Sequence, residues 1–156
     1  MAALLDYTKA SPEAYQAMFK LSQAAHHSTL EPALQELVRT RASQINNCAF
    51  CLDMHTKDAR AAGESEMRLY TLSAWRETSF FTERERAALA WTEAVTRLSE
   101  APVEEGLFHE AREHFSEKEL VDLTLVIIAI NGWNRFGAVF RSEPGHYQPR
   151  AHAKSA

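Results

Sequence analysis

Apolar side chains recur every three or four positions along most of the chain, which is the spacing of a helix with one buried face. No long segment alternates apolar and polar residues as a half-buried strand does. The pattern therefore predicts an all-α fold. The expected helices cover residues 11–26, 31–45, 48–62, 66–75, 82–98 and 103–115, with a last one from 116 to at least 133.

Local signals at the ends of these segments support the division. Pro12 and Pro32 fit the first turn of a helix, and Gly63 suits a position just after a helix end. The segments 82–85 and 116–119 have the Ser/Thr-x-x-Glu pattern of a capping box, which predicts a helix start at each.

The apolar stripes predict how the helices pack. The inward face of the second helix is expected to contain Leu34, Leu37, Val38 and Ala42. The inward face of the fifth is expected to contain Ala88, Trp91, Val95 and Leu98. The helix from 116 is apolar nearly all round between Leu120 and Ile130, so it must be covered on most sides. We expect a central helix that also packs against another subunit, and an irregular tail from Pro144.

Length and charge narrow the class of protein. The 156 residues predict one domain, 1–156, and the net charge of −4 without a basic block excludes the surface typical of nucleic-acid binders. The longest apolar stretch, 123–130, has eight residues, whereas a membrane span needs roughly 20. The first residues lack the pattern of a signal peptide, so we expect a cytoplasmic protein without a membrane segment.

The chain has only two cysteines, Cys48 and Cys51. A disulfide across so short a loop constrains an unfolded chain little, so a structural staple explains the pair poorly. With about 100° per helical residue, Cys48, Cys51 and His55 fall within about 60° of one another. The first turn of a helix favours thiolates, and His55, one turn beyond Cys51, can accept a thiol proton. The segment therefore predicts a redox-active dithiol.

Such a dithiol can reduce a peroxide. A thiolate attacks the O–O bond and becomes a sulfenic acid, the second thiol condenses with it to a disulfide, and an external dithiol restores the pair. Two other interpretations remain: a pair of buried, inert cysteines, and a zinc site formed by Cys48, Cys51, His55 and a fourth ligand. We favour the dithiol and expect neither a metal nor a cofactor, because no second pair of ligands accompanies the first.

Geometry alone does not decide which cysteine attacks. Cys48 is nearer the start of the helix and is expected to be more exposed, as in thioredoxin-type motifs. His55 favours Cys51, since it lies four residues from Cys51 and seven from Cys48.

Glu36, Cys48, Cys51 and His55 match the pattern Glu-x11-Cys-x-x-Cys-x-x-x-His. With this pattern and the flanking segments 37–46 and 131–136, the chain resembles the alkylhydroperoxidase D-like (AhpD-like) branch of the carboxymuconolactone decarboxylase superfamily. The resemblance covers about 15–140. It implies a single AhpD-like helical-bundle domain that forms a homotrimer or homohexamer and reduces peroxides in antioxidant defence.

The resemblance also implies roles for these residues. Cys51 attacks the peroxide, Cys48 is the resolving cysteine and proton donor, and Glu36 and His55 form a proton relay with an intervening water. Arg39, three residues after Glu36, is placed to pair with it. The chain departs from the best-known members at Phe50, where they have a second histidine, so the relay has one titratable group fewer.

The predicted function is thus a thiol-dependent peroxidase with a small hydroperoxide as substrate and an external dithiol or thiol-redox protein as reductant. One alternative is a lyase like the lactone decarboxylases of the superfamily, which need no CxxC motif. Another is a non-catalytic, redox-sensing oligomer in which the disulfide changes assembly.

Overall fold

The computed structural model describes residues 2–149, and in this range the chain forms helices and loops without a strand. The α-helices are α1 (Tyr7–Ala10), α2 (Pro12–His26), α3 (Pro32–Ile45), α4 (Ala49–Ala61), α5 (Glu66–Thr71), α6 (Glu83–Thr96), α7 (Glu105–His114) and α8 (Glu117–Val139). A 3₁₀ helix, Leu72–Glu77, follows α5 directly. The all-α prediction is confirmed, and the helices form one compact domain.

Several helix bounds differ from the predicted ones. The four-residue α1 was not predicted; it begins after Asp6, whose carboxylate accepts a hydrogen bond from the Thr8 amide at 3.1 Å. Such a short helix contains too few turns to show a periodic pattern. Placing Leu98 in the inward stripe of α6 was wrong: α6 ends at Thr96, and Leu98 is 59% exposed.

The centre of the fold is α8, which packs against α2, α3, α4, α6 and α7. Its Leu123, Val126 and Ile127 are fully buried, as predicted for a helix that is apolar nearly all round. The capping box at Ser116 and Glu119 forms and fixes where α8 begins. On the outer side, Val121 and Ile128 remain exposed in the single chain, so the predicted contact with another subunit stays a prediction.

Hydrogen bonds between side-chain amides fix α3 against α8. The Asn46 side chain donates hydrogen bonds of 2.9 Å to the side-chain oxygens of Asn131 and Asn134. Asn134, only 1% exposed, donates in turn to the Ser43 hydroxyl at 3.0 Å. These bonds satisfy polar groups inside the core and hold the end of α3, where the cysteine segment begins, at a fixed place on α8.

A buried carboxylate joins three further elements. Glu93 of α6 accepts hydrogen bonds from Arg41 of α3 at 2.8 Å and from the Trp75 indole of the 3₁₀ helix at 2.9 Å. Arg76 also binds Glu93. Burial alone would raise the pKa of Glu93, but these hydrogen bonds outweigh it and hold that pKa below its ordinary value. The scaffold behind α3 is therefore ionic as well as apolar.

Among residues 2–149, none of the helices combines the length and the hydrophobicity that crossing a membrane requires.

Candidate redox site

The turn between α3 and α4 places the cysteines. Asn47 has φ of 53°, the left-handed region that asparagine tolerates better than most residues. The Cys48 amide donates to the Ser43 carbonyl at 3.1 Å, which turns the chain sharply after α3. Cys48 itself is extended and is the N-cap of α4, so the predicted helix start at Cys48 was one residue too early.

Cys48 and Cys51 are joined by a disulfide, with 5.3 Å between their Cα atoms. The Cys51 amide points at the Cys48 sulfur, 3.3 Å away, as it would at a capping oxygen. A backbone N–H at a helix N-terminus stabilises negative charge, so this geometry favours a thiolate at Cys48 once the bond is reduced.

Both cysteines are buried, at 1% and 2% exposure for Cys48 and Cys51. The expectation that Cys48 would be the more exposed of the two was therefore wrong. The reason is tertiary: the pair forms a cluster with Ala42 of α3 and Ile130 of α8, and the partly buried Phe50 and Trp133 pack against it. The surroundings of the disulfide are thus mainly apolar.

The structure brings Glu36 and His55 into contact beside this helix end. Nδ1 of His55 lies 2.9 Å from Oε2 of Glu36, and the His55 ring is one turn beyond Cys51 on α4. Arg39 donates to the other oxygen of Glu36 at 2.5 Å, as the i+3 spacing predicted. A second hydrogen bond of 2.7 Å, to Gln35, holds the Arg39 guanidinium in this position.

The charge state of Glu36 follows from these contacts. Burial alone would raise the pKa of Glu36, but the hydrogen bond from His55 and the attraction of His55 and Arg39 outweigh it. The pKa of Glu36 therefore lies below its ordinary value of 4.5. An ionised Glu36 holds the Nδ1–H tautomer of His55, which leaves Nε2 to exchange a proton with another group.

Asp58 is a member of this group that the sequence analysis did not single out. One side-chain donor atom each from Glu36, His55 and Asp58 lies within 4.8 Å of the others. Asp58 lies three residues after His55 on α4, and this spacing is the sequence signal that could have identified it as a neighbour of His55. Carboxylates and imidazole are common ligands of divalent cations. Here the carboxylate of Glu36 already binds Arg39 and His55, and Asp58 accepts a 2.7 Å hydrogen bond from the Tyr147 hydroxyl. Protein groups therefore already use these side chains.

The segment 145–147 lies along α4. The Gly145 amide donates to Asp53 at 2.9 Å, and Lys57 donates to the Tyr147 carbonyl at 3.0 Å. Residues 144–149 are irregular, as predicted, yet hydrogen bonds to side chains of α4 fix them in place; the rest of the predicted tail, 150–156, lies outside the described residues.

Comparison with known proteins gives this site a context. The model of the carboxymuconolactone decarboxylase family matches residues 12–94. The uncharacterized protein YdfG of Bacillus subtilis is 42% identical over 135 residues, which cover 86% of this chain and 92% of that protein.

Two solved structures have the same fold. One is a protein of unknown function from Agrobacterium tumefaciens whose name links it to the antioxidant defence protein AhpD; it is 43% identical, with a TM-score of 0.91 over 94% of this chain and 100% of its own. The other is an uncharacterized peroxidase-related protein with an AhpD core from Ralstonia eutropha. It is 20% identical, with a TM-score of 0.79 over 90% of this chain and 75% of its own. The chain therefore belongs to the carboxymuconolactone decarboxylase family, as an AhpD-like member.

Proposed function

We propose that this protein is a thiol-dependent peroxidase in which Cys48 and Cys51 cycle between a dithiol and a disulfide. The observation that carries the proposal is the pair of bonded sulfurs at the N-terminus of α4, with Cys51 one helical turn before a histidine that a partly buried carboxylate holds. Membership of an AhpD-like family supports an enzymatic role of this kind.

The reaction has three balanced steps. The Cys51 thiolate attacks the O–O bond of a hydroperoxide, becomes a sulfenic acid and releases an alkoxide, which takes a proton to leave as the alcohol. The Cys48 thiolate then attacks the sulfenic sulfur, and the hydroxyl group leaves as water after gaining a proton. An external dithiol reduces the resulting disulfide by exchange, supplying two electrons and two protons.

The local geometry suits these roles. The resolving cysteine must attack as a thiolate, and the Cys51 amide favours that form at Cys48. His55, oriented by Glu36, is the general acid and base that exchanges protons with Cys51 and with the leaving oxygen, directly or through water. The relay thus runs from Glu36 to His55 to the sulfur.

The substrate we infer is an organic hydroperoxide. Phe50 and Trp133 pack against the cysteine cluster and make its surroundings apolar. Apolar walls stabilise the alkyl part of an organic hydroperoxide and add nothing for hydrogen peroxide. We expect a higher kcat/KM for cumene hydroperoxide than for hydrogen peroxide.

The test is hydroperoxide consumption with dithiothreitol as reductant, using wild type, Cys51→Ser and Cys48→Ser. We expect Cys51→Ser to lose the first oxidation step. In the absence of dithiothreitol, Cys48→Ser should consume one equivalent of hydroperoxide and form one sulfenic acid per chain, which dimedone traps, because no intramolecular disulfide can form.

Three results would contradict parts of this proposal. Absence of turnover with any hydroperoxide would exclude the peroxidase. A greater loss of the first step in Cys48→Ser than in Cys51→Ser would reverse the two roles. Disulfide formation without repeated turnover, accompanied by a change of oligomer size, would favour the redox-sensing oligomer.

A further inference from the structure

The backbone of α8 contacts the disulfide at Gly137, a buried position inside the helix. A Cβ atom added at Gly137 would lie 2.7 Å from the sulfur of Cys48 and 3.4 Å from that of Cys51. Packed carbon and sulfur atoms stay farther apart than the first distance, so a methyl group there forces the Cys48 sulfur or the helix to move. Glycine is otherwise a poor choice for a helix interior.

The crowding differs between the two redox states of the pair. In the disulfide, the Cys48 sulfur is bonded to Cys51 and cannot turn away from α8 by itself. In the dithiol, each sulfur rotates separately about its own Cα–Cβ bond. A methyl group at position 137 therefore raises the free energy of the disulfide more than that of the dithiol.

We propose that Gly137 is a positioning residue that stabilises the disulfide form and thereby sets the reduction potential of the Cys48–Cys51 couple. The half-reaction is the loss of two electrons and two protons from the dithiol to give the disulfide. This inference rests on the redox couple of the proposed function, but it needs no peroxide chemistry. Substitution of Gly137 by alanine should make the pair easier to reduce.

The chain offers two matched controls. An added Cβ at Gly106, inside α7, has no heavy atom outside its own helix within 4 Å. An added Cβ at Gly132, on α8, would approach the flexible end of Met18, with Cε at 2.5 Å and Sδ at 3.3 Å, and neither sulfur of the disulfide lies within 4 Å of it. Gly106→Ala reports the general effect of alanine in a helix, and Gly132→Ala reports crowding elsewhere on α8.

The experiment equilibrates each protein with mixtures of reduced and oxidised dithiothreitol, then alkylates the free thiols and counts them by mass spectrometry. We expect Gly137→Ala to lower the equilibrium constant for forming the disulfide about tenfold, a potential higher by about 30 mV for this two-electron couple. Gly106→Ala and Gly132→Ala should stay within about twofold of wild type. A Gly137→Ala potential equal to that of wild type would overturn the inference.

A second measurement separates the sulfur contact from a general packing defect. Oxidised Gly137→Ala should unfold at a lower temperature than oxidised wild type. In a Cys48→Ala background the sulfur is gone, so adding Gly137→Ala should leave the midpoint unchanged or raise it. An equal decrease of the unfolding temperature in the wild-type and Cys48→Ala backgrounds would contradict the proposed contact. Because neither measurement uses peroxide, a failed peroxidase assay does not affect this result.

Discussion

Glu36 has two different cationic or proton-donating partners, one on each carboxylate oxygen. Glu36→Gln keeps the shape of the side chain but removes the charge that holds both Arg39 and the Nδ1–H of His55. Hydrogen bonds to charged groups contribute about 1.5–3 kcal/mol each. We expect Glu36→Gln to lower the free energy of unfolding at pH 7 by an amount of this order and to slow peroxide consumption. Urea unfolding and the peroxidase assay measure the two effects.

The pH dependence of that stability difference has a definite sign. The pKa of Glu36 is lowered in the folded protein, so its ionised form stabilises the fold above the ordinary value of 4.5. The contribution is lost as the pH falls through the lower folded pKa. The difference in the free energy of unfolding between wild type and Glu36→Gln should therefore become smaller as the pH is lowered. Glu110→Gln, at an exposed position, is the control. A difference in the free energy of unfolding that increases toward low pH would contradict the ionised state of Glu36.

Helix geometry and the family pattern were sufficient to predict two contacts, the pairing of Cys48 with Cys51 and the contact between Glu36 and His55. The shared catalytic role of these four residues stays a prediction. The surroundings of the disulfide were not predictable in this way. The burial of Cys48 and its contact with Gly137 depend on how α8 packs across α4, a relation between residues far apart in sequence. Local periodicity contains no information about such contacts.

At the scale of helices, the contact between α3 and α8 depends on a buried amide. Asn134→Ala removes a donor to the buried Ser43 hydroxyl and one of the two acceptors of the half-buried Asn46 amide, so the Ser43 oxygen loses its donor in the core. An unsatisfied buried polar group costs about 1–3 kcal/mol. We expect a loss of stability in this range or above it, measured by urea unfolding.

The neighbouring Arg135 provides the comparison for this variant. It is exposed, and its guanidinium bonds to the Asn131 carbonyl of its own helix. Arg135→Ala should change the free energy of unfolding by less than about 0.5 kcal/mol, the usual limit for surface sites. Equal losses for Asn134→Ala and Arg135→Ala would show that the amide does not fix α3 on α8.

The helices differ in how well their bounds follow from sequence. Both capping boxes form as predicted, because a cap depends on residues only three positions apart. The segment 66–75, predicted as one helix, is instead α5 followed by the 3₁₀ helix. Trp75 in that 3₁₀ helix donates to Glu93 of α6, a tertiary contact that the local pattern does not contain.

At the scale of the whole molecule, α8 buries one face in its own chain and exposes another. Val121 and Ile128 are 69% and 51% exposed on its outer side. They border a groove of about 390 Å³ whose lining also includes Trp91, Phe108 and Leu125. Contiguous exposed apolar surface of this kind is typical of protein interfaces. It is consistent with the homotrimer or homohexamer that the family resemblance implies.

Polar substitutions on this face test the assembly. Ile128→Lys and Val121→Lys place charges where a partner subunit would exclude water, and an unpaired buried charge strongly opposes association. We expect the double variant to have a smaller mass than wild type by size-exclusion chromatography with light scattering. Its helical circular dichroism should be unchanged, because both side chains already face solvent in the single chain. Met67→Lys, on α5 and 56% exposed, is the control for an added charge. If the double variant and Met67→Lys both retain the wild-type mass, the groove is not part of the interface that assembles this protein.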